Sequence, residues 1–295
     1  MISIVIPSYN RRDAILRLLD GLDRQEGVDF EIIVVDDGSS DDSVEAIRRA
    51  FPAVKLLVNE RNGGPAVTRN RGIRAASGDV IVGLDSDVTV DDAYLLSRVE
   101  VAFEAHPKAA GLAFRILKPD GISEDVERWW HPVPIDRFAD KRFLTSYFSG
   151  TGYAFRKQAL LDAGLFPEIF YMHYEEVELA WRVLDQGGII LHCPDLKVLH
   201  HEGKTTGRSR VQTFYKPRNQ VLLALSCYPW SQAMGFALPR IFFQFCRAVR
   251  HGHVTVFVRA MMDAMRVARL QLSLRKPLQA GTLLEISRLR EGVHP

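Results

Sequence analysis

Short apolar runs alternate with segments of helical periodicity through the first part of the chain. The runs at 2–6 and 31–36 are rich in β-branched residues and end at turn residues, as buried strands do. Between them, four apolar residues recur at helical spacing over 12–25. A strand, a helix and a second strand in this order predict a parallel pair joined by a crossover helix.

The same alternation continues to about residue 115. It predicts further helices over 41–51, 65–76 and 92–105, and strands over 54–58, 80–84, within 101–115 and over 196–199. Such alternation predicts an α/β fold, in which a mostly parallel, mixed sheet is flanked by helices. Ligands bind beyond the carboxyl ends of the strands in sheets of this kind, so polar residues there are the first candidates for chemistry.

The pattern changes near residue 214. Strand signals stop, and helical patterns with many arginines follow, for example over 254–274. We therefore divide the chain into a domain at 1–213 and a basic, amphipathic helical region at 214–295, which has 12 Lys and Arg against 3 Asp and Glu. Such helices suit contact with an anionic membrane surface. A helical packing domain or a dimer contact would give the same pattern.

Composition narrows the class of protein. The chain has 295 residues, of which 47% are hydrophobic and 25% charged, which excludes a disordered protein. Pro229, Pro239 and Arg240 interrupt its most apolar stretch, so we expect no spanning helix. Three scattered cysteines and an N-terminus that opens into a strand predict a cytoplasmic protein, peripheral on the inner face of the cell membrane if the tail binds lipid. The tail lacks a nucleic-acid-reading module, so nucleic acid is not an expected partner.

Two carboxylates follow the strand at 80–84. Asp85 and Asp87 stand two residues apart, so their side chains point the same way in an extended segment. Two such oxygen ligands can hold Mg²⁺ or Mn²⁺ and leave positions for phosphate, although a solvated turn would have the same spacing. His200 follows the strand at 196–199 and could complete a metal shell, whereas a lone histidine is more often structural.

A second polar group follows the strand at 31–36. Asp36 and Asp37 could form only a turn and helix cap, or one carboxylate could accept a hydrogen bond from the NH of a pyrimidine base. Farther along, the glycines of 61–66 precede a predicted helix that carries Arg69, and glycines there allow backbone NH groups to approach an anion. A plain helix entry with surface arginines is equally consistent with this pattern.

The segment 171–182 carries a second acidic cluster. Glu175 and Glu178 share a face of a predicted helix, which could be a solvated face with an ion pair. The aromatic surroundings, which include Trp181, could instead raise a carboxyl pKa and stack on a sugar. A general base needs such a carboxylate within reach of a hydroxyl.

Taken in order, these segments resemble the family 2 glycosyltransferases, which have the GT-A fold. The resemblance covers roughly residues 2–206. It rests on the segments 4–10, 34–40, 62–72, 85–87, 150–156, 175–179 and 198–201. The start of the tail, 214–219, resembles bacterial rhamnosyltransferase-like members that build cell-envelope glycans.

The resemblance implies roles at the donor side of the site. Asp37, together with Asp36, would bind the base, and Asp85 would contact the ribose or the metal. Asp87 and His200 would be metal ligands, although the neighbouring His201 could replace the latter. The other residues expected around the nucleotide are Pro7, Tyr9, Asn62, Arg69 and Ser86.

The resemblance also implies the catalytic base. Glu176 stands where the family usually carries the Asp of a Glu-Asp pair, so it is the predicted base, and Glu175 is the alternative. Glu is one methylene longer than Asp, so the base would have to lie farther back. The residues expected near the sugar or acceptor are Glu175, Trp181 and Gly152.

The function implied by this resemblance is inverting transfer of a sugar from a UDP- or dTDP-sugar to an acceptor hydroxyl, with Mn²⁺ or Mg²⁺ as cofactor. The expected acceptor is a glycan or a lipid-linked saccharide of the cell envelope, and the oligomeric state is open. One alternative is a catalytically inactive module that binds a nucleotide sugar or glycan. Another is a sugar nucleotidyltransferase, although the chain has no Gly-rich N-terminal loop followed by an Arg-Lys pair.

Overall fold

The computed structural model describes residues 1–201, 208–271 and 275–290. The strands are β1 Ile2–Ser8, β2 Phe30–Asp36, β3 Lys55–Val58, β4 Val80–Leu84, β5 Val88–Thr89, β6 Ala109–Leu117, β7 Phe143–Leu144, β8 Gly152–Arg156 and β9 Ile189–His200. The helices are α1 Arg12–Asp23, α2 Ser43–Ala50, α3 Pro65–Ala75, α4 Leu95–Ala105, α5 Ile135–Phe138, α6 Lys157–Asp162, α7 Glu175–Asp185, α8 Arg208–Cys227, α9 Trp230–Arg250, α10 Val254–Gln271 and α11 Ala280–Arg290. A short 3-10 helix covers Glu168–Phe170.

The strands form one mixed sheet, which confirms the predicted α/β class. Its order is β3-β2-β1-β4-β8-β6-β9-β5, with β7 beside β9. The first four strands are parallel, as predicted, whereas β8 runs antiparallel between β4 and β6. The carboxyl ends of β1, β2 and β4 therefore meet at one edge of the sheet.

The predicted elements of the first 105 residues are all present, and their ends differ from the prediction by at most three residues. Successive side chains of β1 point to opposite faces of the sheet, and helices cover both faces. Ile4 packs on one face with Leu18 of α1, and Val5 packs on the other face with α3 and α7. Gly72 of α3 lies against Val5, and any larger residue there would collide with it. This close approach fixes where α3 begins above the sheet edge.

The C-terminal helices pack onto the face of the sheet that α7 covers. The predicted boundary at residue 213 falls inside α8, which runs through it without a break. Leu222 and Leu223 of α8 and Phe236 of α9 share an apolar core with Trp181 of α7. The helical region is therefore part of the main apolar core of the molecule.

Two predicted stretches extend outside the described residues, namely 202–206 of the family resemblance and 272–274 of the arginine-rich helical pattern. Among the described helices, none combines the length and the apolar character that crossing a membrane requires.

Candidate functional site

A cleft of about 970 Å³ opens at the carboxyl ends of β1, β2 and β4. One wall comes from these strand ends and the start of α3. The other comes from the segment between β6 and β8, the start of α7, and helices α8 and α9. The predicted site residues that line it are Pro7, Tyr9, Asp37, Asn62, Arg69, Asp85, Ser86, Asp87, Glu175 and Glu176.

Asp37 faces the cleft, whereas Asp36 does not. The Asp36 carboxylate is fully buried and accepts hydrogen bonds from the backbone NH groups of Gly38 (3.1 Å) and Ser39 (2.8 Å). It therefore shapes the turn after β2, and its predicted contact with the base is wrong. Adjacent residues at the end of a strand point to opposite sides, so only one of the two carboxylates can reach a ligand.

The backbone NH groups of the glycine loop before α3 bind an anionic group, and this group is the side chain of Asp37. The Asp37 carboxylate accepts hydrogen bonds from the NH groups of Gly63 (3.0 Å) and Gly64 (2.8 Å), and from Asn59 Nδ2 (2.7 Å). These NH groups are therefore already engaged. Their effect is to fix Asp37 at the edge of the cleft.

Arg69 lies at the centre of the carboxylates. Its side chain is 4% exposed, and its Nη2 donates to Asp85 Oδ1 at 2.7 Å. Its Nη1 lies 3.6 Å from Glu175 Oε1 and 3.9 Å from Glu176 Oε1. Burial alone would lower the pKa of Arg69, but Asp85 and Glu176 outweigh it and raise the pKa, so the guanidinium stays charged. One buried cation thus joins the donor-side carboxylate to the two glutamates.

The two adjacent glutamates have different surroundings. The Glu175 side chain is 4% exposed, and burial, together with the charge of Glu176, raises its pKa well above the usual range. The Glu176 side chain is 16% exposed and lies against Gly150, where a Cβ would be 2.6 Å from Glu176 Oε1. Gly150 therefore leaves the space that the longer Glu requires in place of Asp.

Asp87 and His200 form the candidate metal centre. His200 Nε2 lies 3.7 Å from Asp87 Oδ1, and its Nδ1 donates to Asp125 Oδ2 at 2.7 Å. A carboxylate behind the imidazole is the usual arrangement for orienting a metal-binding histidine. Arg11 Nη1 donates to Asp87 Oδ2 at 2.6 Å, and Arg128 Nη2 lies 3.3 Å from His200 Nε2, so two cationic groups stand at these ligand atoms.

A carboxylate oxygen and an imidazole nitrogen are donors that suit a divalent ion, and in this structure Arg11 and Arg128 stand at both of them. Burial opposes ionisation of Asp87, but His200 and Arg11 lower its pKa, so the carboxylate is ionised. Asp85 belongs to a different group, because Arg69 and Thr151 Oγ1 (3.1 Å) hold its carboxylate. His201 contacts Thr89 Oγ1 at 3.0 Å. In the described part of the chain, no three His, Cys, Asp or Glu side chains form a ready-made metal shell.

The loop before α7 is held in a strained conformation. Tyr171, His173 and Tyr174 have φ values of 62°, 67° and 71°, which residues with a Cβ rarely adopt. Asn219 of α8, fully buried, holds the loop through its side-chain amide. The amide nitrogen lies within hydrogen-bond distance of the carbonyl oxygens of Phe170 (2.9 Å), Met172 (2.7 Å) and His173 (2.8 Å). The tail therefore fixes the loop from which Glu175 and Glu176 emerge.

Tyr171 joins this loop to the donor side of the cleft. Its hydroxyl donates to Asn62 Oδ1 at 2.8 Å, and its ring stacks on Tyr215 of α8 at 5.1 Å between centroids. Gly64 has φ 87°, and a Cβ there would lie 2.5 Å from the Tyr171 ring. Only glycine satisfies both conditions at this position.

Two predicted acceptor-side residues lie away from the cleft. Trp181 is 2% exposed and packs edge-on against Tyr228 and Phe236, so it cannot stack on a sugar. Gly152 lies within β8, where a Cβ would meet Val198 at 3.0 Å, so it is a packing residue. Both predictions are wrong. Aromatic residues of the cleft wall are instead Trp130, Tyr147, Tyr171 and Tyr174.

Several lining residues were not predicted from the sequence. Arg11 and Arg128 come from loops without a motif, and Lys216, Arg247 and His251 come from α8 and the end of α9. Only the arginine-rich composition of the tail indicated contact with an anionic group.

Comparison with known proteins gives the family. The Glycosyl transferase family 2 model matches residues 3–164. An uncharacterised glycosyltransferase of Haemophilus influenzae is 42% identical over 146 residues, or 49% of this chain and 48% of that protein. The GalNAc(5)-diNAcBac-PP-undecaprenol beta-1,3-glucosyltransferase of Campylobacter jejuni is 28% identical over 174 residues, or 58% of this chain and 56% of that protein. The chain thus spans about half the length of these curated relatives.

Solved structures share the fold. The S. aureus TarS 1-349 complex with UDP-GlcNAc superposes with a TM-score of 0.62 at 20% identity, covering 90% of this chain and 81% of that chain. The mannosyltransferase PcManGT of Pyrobaculum calidifontis, in complex with GDP-Man and Mn2+, gives 0.59 at 17% identity, covering 98% and 83%. At these identities the likeness concerns the fold, and it includes the C-terminal helices because almost the whole chain is covered.

Proposed function

Because this chain belongs to glycosyl transferase family 2, we propose that it transfers a sugar from a UDP- or dTDP-sugar to an acceptor hydroxyl with inversion at the anomeric carbon. The proposed acceptor is a glycan or a lipid-linked saccharide in cell-envelope synthesis, as the name of the Campylobacter relative suggests. The observation that carries the proposal is the Arg69 cluster, because it joins Asp85 on the donor side to Glu176 on the opposite wall of one cleft.

The donor side positions the nucleotide. Asp37 stands at the edge of the cleft with its carboxylate fixed by the glycine loop, where it can accept from the NH of a pyrimidine. Tyr9, 45% exposed, offers a ring for stacking. Asp85 is held by Arg69 and Thr151, so it can accept a ribose hydroxyl without moving.

Asp87 and His200 would hold Mn²⁺ or Mg²⁺ against the diphosphate, and the Mn2+ bound in the PcManGT structure supports this choice. Such an ion supplies positive charge to the leaving group. Arg11 already places a positive charge at Asp87, so this end of the cleft is arranged for anions.

Glu176 is the proposed base. The acceptor oxygen bonds to the anomeric carbon, the bond from that carbon to the diphosphate oxygen breaks, and Glu176 takes the acceptor proton. Attack from the face opposite the nucleotide inverts the configuration. Arg69 orients the carboxylate, and Gly150 leaves room for it. Positioned bases of this kind contribute about 10²- to 10⁴-fold in rate.

The proposal is tested by nucleoside diphosphate release. The protein is incubated with UDP-, dTDP- and GDP-sugars, with Mn²⁺, with Mg²⁺ and with EDTA. We expect slow release from one donor, lost with EDTA and lowered at least about a hundredfold in Asp87→Ala, because the diphosphate loses charge stabilisation. Asp91→Ala, an exposed carboxylate four residues away, is the control and should keep full activity.

Nucleotide binding without release, even with envelope lipid extracts as acceptor source, would instead support an inactive binding module. Release of pyrophosphate from a nucleoside triphosphate and a sugar phosphate would support a nucleotidyltransferase. Full activity of Asp87→Ala in EDTA would contradict the metal assignment.

A further inference from the structure

The outer side of α9 is apolar where a helix facing water would be polar. Its inward residues are buried in the core that it shares with α7. Five exposed apolar residues recur every three or four positions along this side, and the most exposed of them is Phe242 at 69%. The other exposed apolar residues of this side are Met234, Leu238, Phe245 and Val249. An exposed apolar patch of this extent usually marks a contact surface.

The apolar stripe continues on α10. Val254, Val258, Met262 and Met265 are exposed at helical spacing. The rings of Phe245 and Phe257 meet at 5.5 Å between centroids, so the two helices adjoin where the stripe passes from one to the other. We call these exposed residues of α9 and α10 the outer face.

The charges beside the outer face are mostly positive. Exposed arginines stand at the end of α9 and along α10, namely Arg250, Arg259, Arg266 and Arg269. The single acidic residue between 230 and 271 is Asp263, and it is paired with Arg218 and Arg266. Apolar side chains beside arginines are the composition of a helix that lies in the interface of an anionic bilayer.

The outer face adjoins the cleft. α9 ends at Arg250, and Arg247 and His251, at that end, line the cleft together with Glu176. A surface that the outer face contacts would therefore lie near the end of α9 that borders the cleft.

We propose that the outer face docks on an anionic lipid bilayer. Docking stands on the exposed apolar residues and the arginines, and it does not depend on the proposed function.

Docking is tested by co-sedimentation of the full chain with vesicles, without any substrate, so the result does not depend on catalysis. We expect binding to phosphatidylcholine vesicles that contain phosphatidylglycerol, and at least about tenfold weaker binding to phosphatidylcholine alone or at high salt. Equal binding to both kinds of vesicle would overturn the assignment to anionic lipid.

Variants separate the two contributions. Phe242→Ser should weaken vesicle binding about tenfold, since it removes one large inserted side chain. Arg259→Gln should weaken it about fivefold, and only on anionic vesicles. The control is Val101→Ser on α4, 62% exposed and outside the outer face, which should bind like the unmodified chain. Unchanged unfolding temperatures confirm that the variants are folded.

The competing occupant is a second copy of the chain. Light scattering that shows a dimer broken by Phe242→Ser, together with no vesicle binding, would overturn the proposal. Binding lost equally in Phe242→Ser and Val101→Ser would also overturn it, because the outer face would then have no special part.

Discussion

At the scale of single residues, the burial of two adjacent carboxyls separates their roles. Burial and the neighbouring Glu176 raise the pKa of Glu175, whose side chain is 4% exposed, whereas the side chain of Glu176 is 16% exposed. We expect Glu176→Gln to lower turnover by about 10²- to 10⁴-fold, because an amide cannot take the acceptor proton.

Glu175→Gln is the matched variant. An amide keeps the shape of the carboxyl that it replaces, so we expect it to keep most of the turnover, within about tenfold of the unmodified chain. Nucleoside diphosphate release with acceptor present measures both. The opposite ranking of the two variants would make Glu175 the base.

Residues at strand ends were the part of the site that the sequence could predict. Pro7, Asp37, Asp85 and Asp87 follow apolar runs, and parallel pairing brings such ends to one edge. The partners that fix them could not be predicted in this way. Asp125 reaches His200 from 75 residues away, through a loop whose path no local pattern determines.

At the scale of elements, the loop before α7 depends on a helix that follows it by more than 30 residues in sequence. We expect Asn219→Ala to lower the free energy of unfolding by roughly 1–3 kcal/mol, since buried carbonyls lose their donor. The strained loop should then relax and move Glu176, which lowers kcat at least about tenfold and leaves the donor KM nearly unchanged.

Steady-state kinetics and urea unfolding measure the two effects. Gln232→Ala, an exposed amide on α9, is the control and should change neither. A rise in donor KM at constant kcat would contradict the positioning role of Asn219 and assign it to donor binding.

The helix predicted around residues 175–182 is present as α7, but the expected position of the Trp181 side chain was wrong. Trp181 follows Glu176 by five residues, which at about 100° per residue places it roughly 140° around the helix. The face that presents Glu176 to the cleft therefore turns Trp181 into the core. Trp181 was expected near the sugar because it is close to Glu176 in sequence. Its position around the helix places it in the core instead.

At the scale of the whole molecule, acid should destabilise the wall formed by the segment between β6 and β8. His192 of β9 is fully buried, stacks on Phe143 and donates from Nδ1 to the Lys141 carbonyl. Burial lowers its pKa from 6.5 to about 4. Between these values the unfolded chain binds a proton that the folded chain does not, so stability falls as pH falls from about 6.5 to about 4, by roughly 3 kcal/mol.

His192→Phe should remove this contribution, because the ring still packs but cannot take a proton. Urea unfolding at a series of pH values should show a shallower loss of stability for the variant, by about one proton in slope. Identical pH profiles for the two chains would show that His192 does not titrate across this range.

The pattern of the sequence predicted the sheet and the helical character of the tail. It did not predict that the tail shares the main apolar core. Periodicity reveals which residues of a helix are apolar, and the tail has apolar residues on two sides, one for the core and one left exposed. Which side meets the domain depends on Asn219 and its neighbours, and those contacts have no local signature.

α8 is continuous across residue 213, and this continuity affects how the chain can change in evolution. A change that removes or replaces the tail also removes Asn219, and the strained loop of the other half then loses its support. Changes in the two halves are therefore coupled through this loop, whereas a substitution on the outer side of α9 and α10 leaves the inner contacts intact.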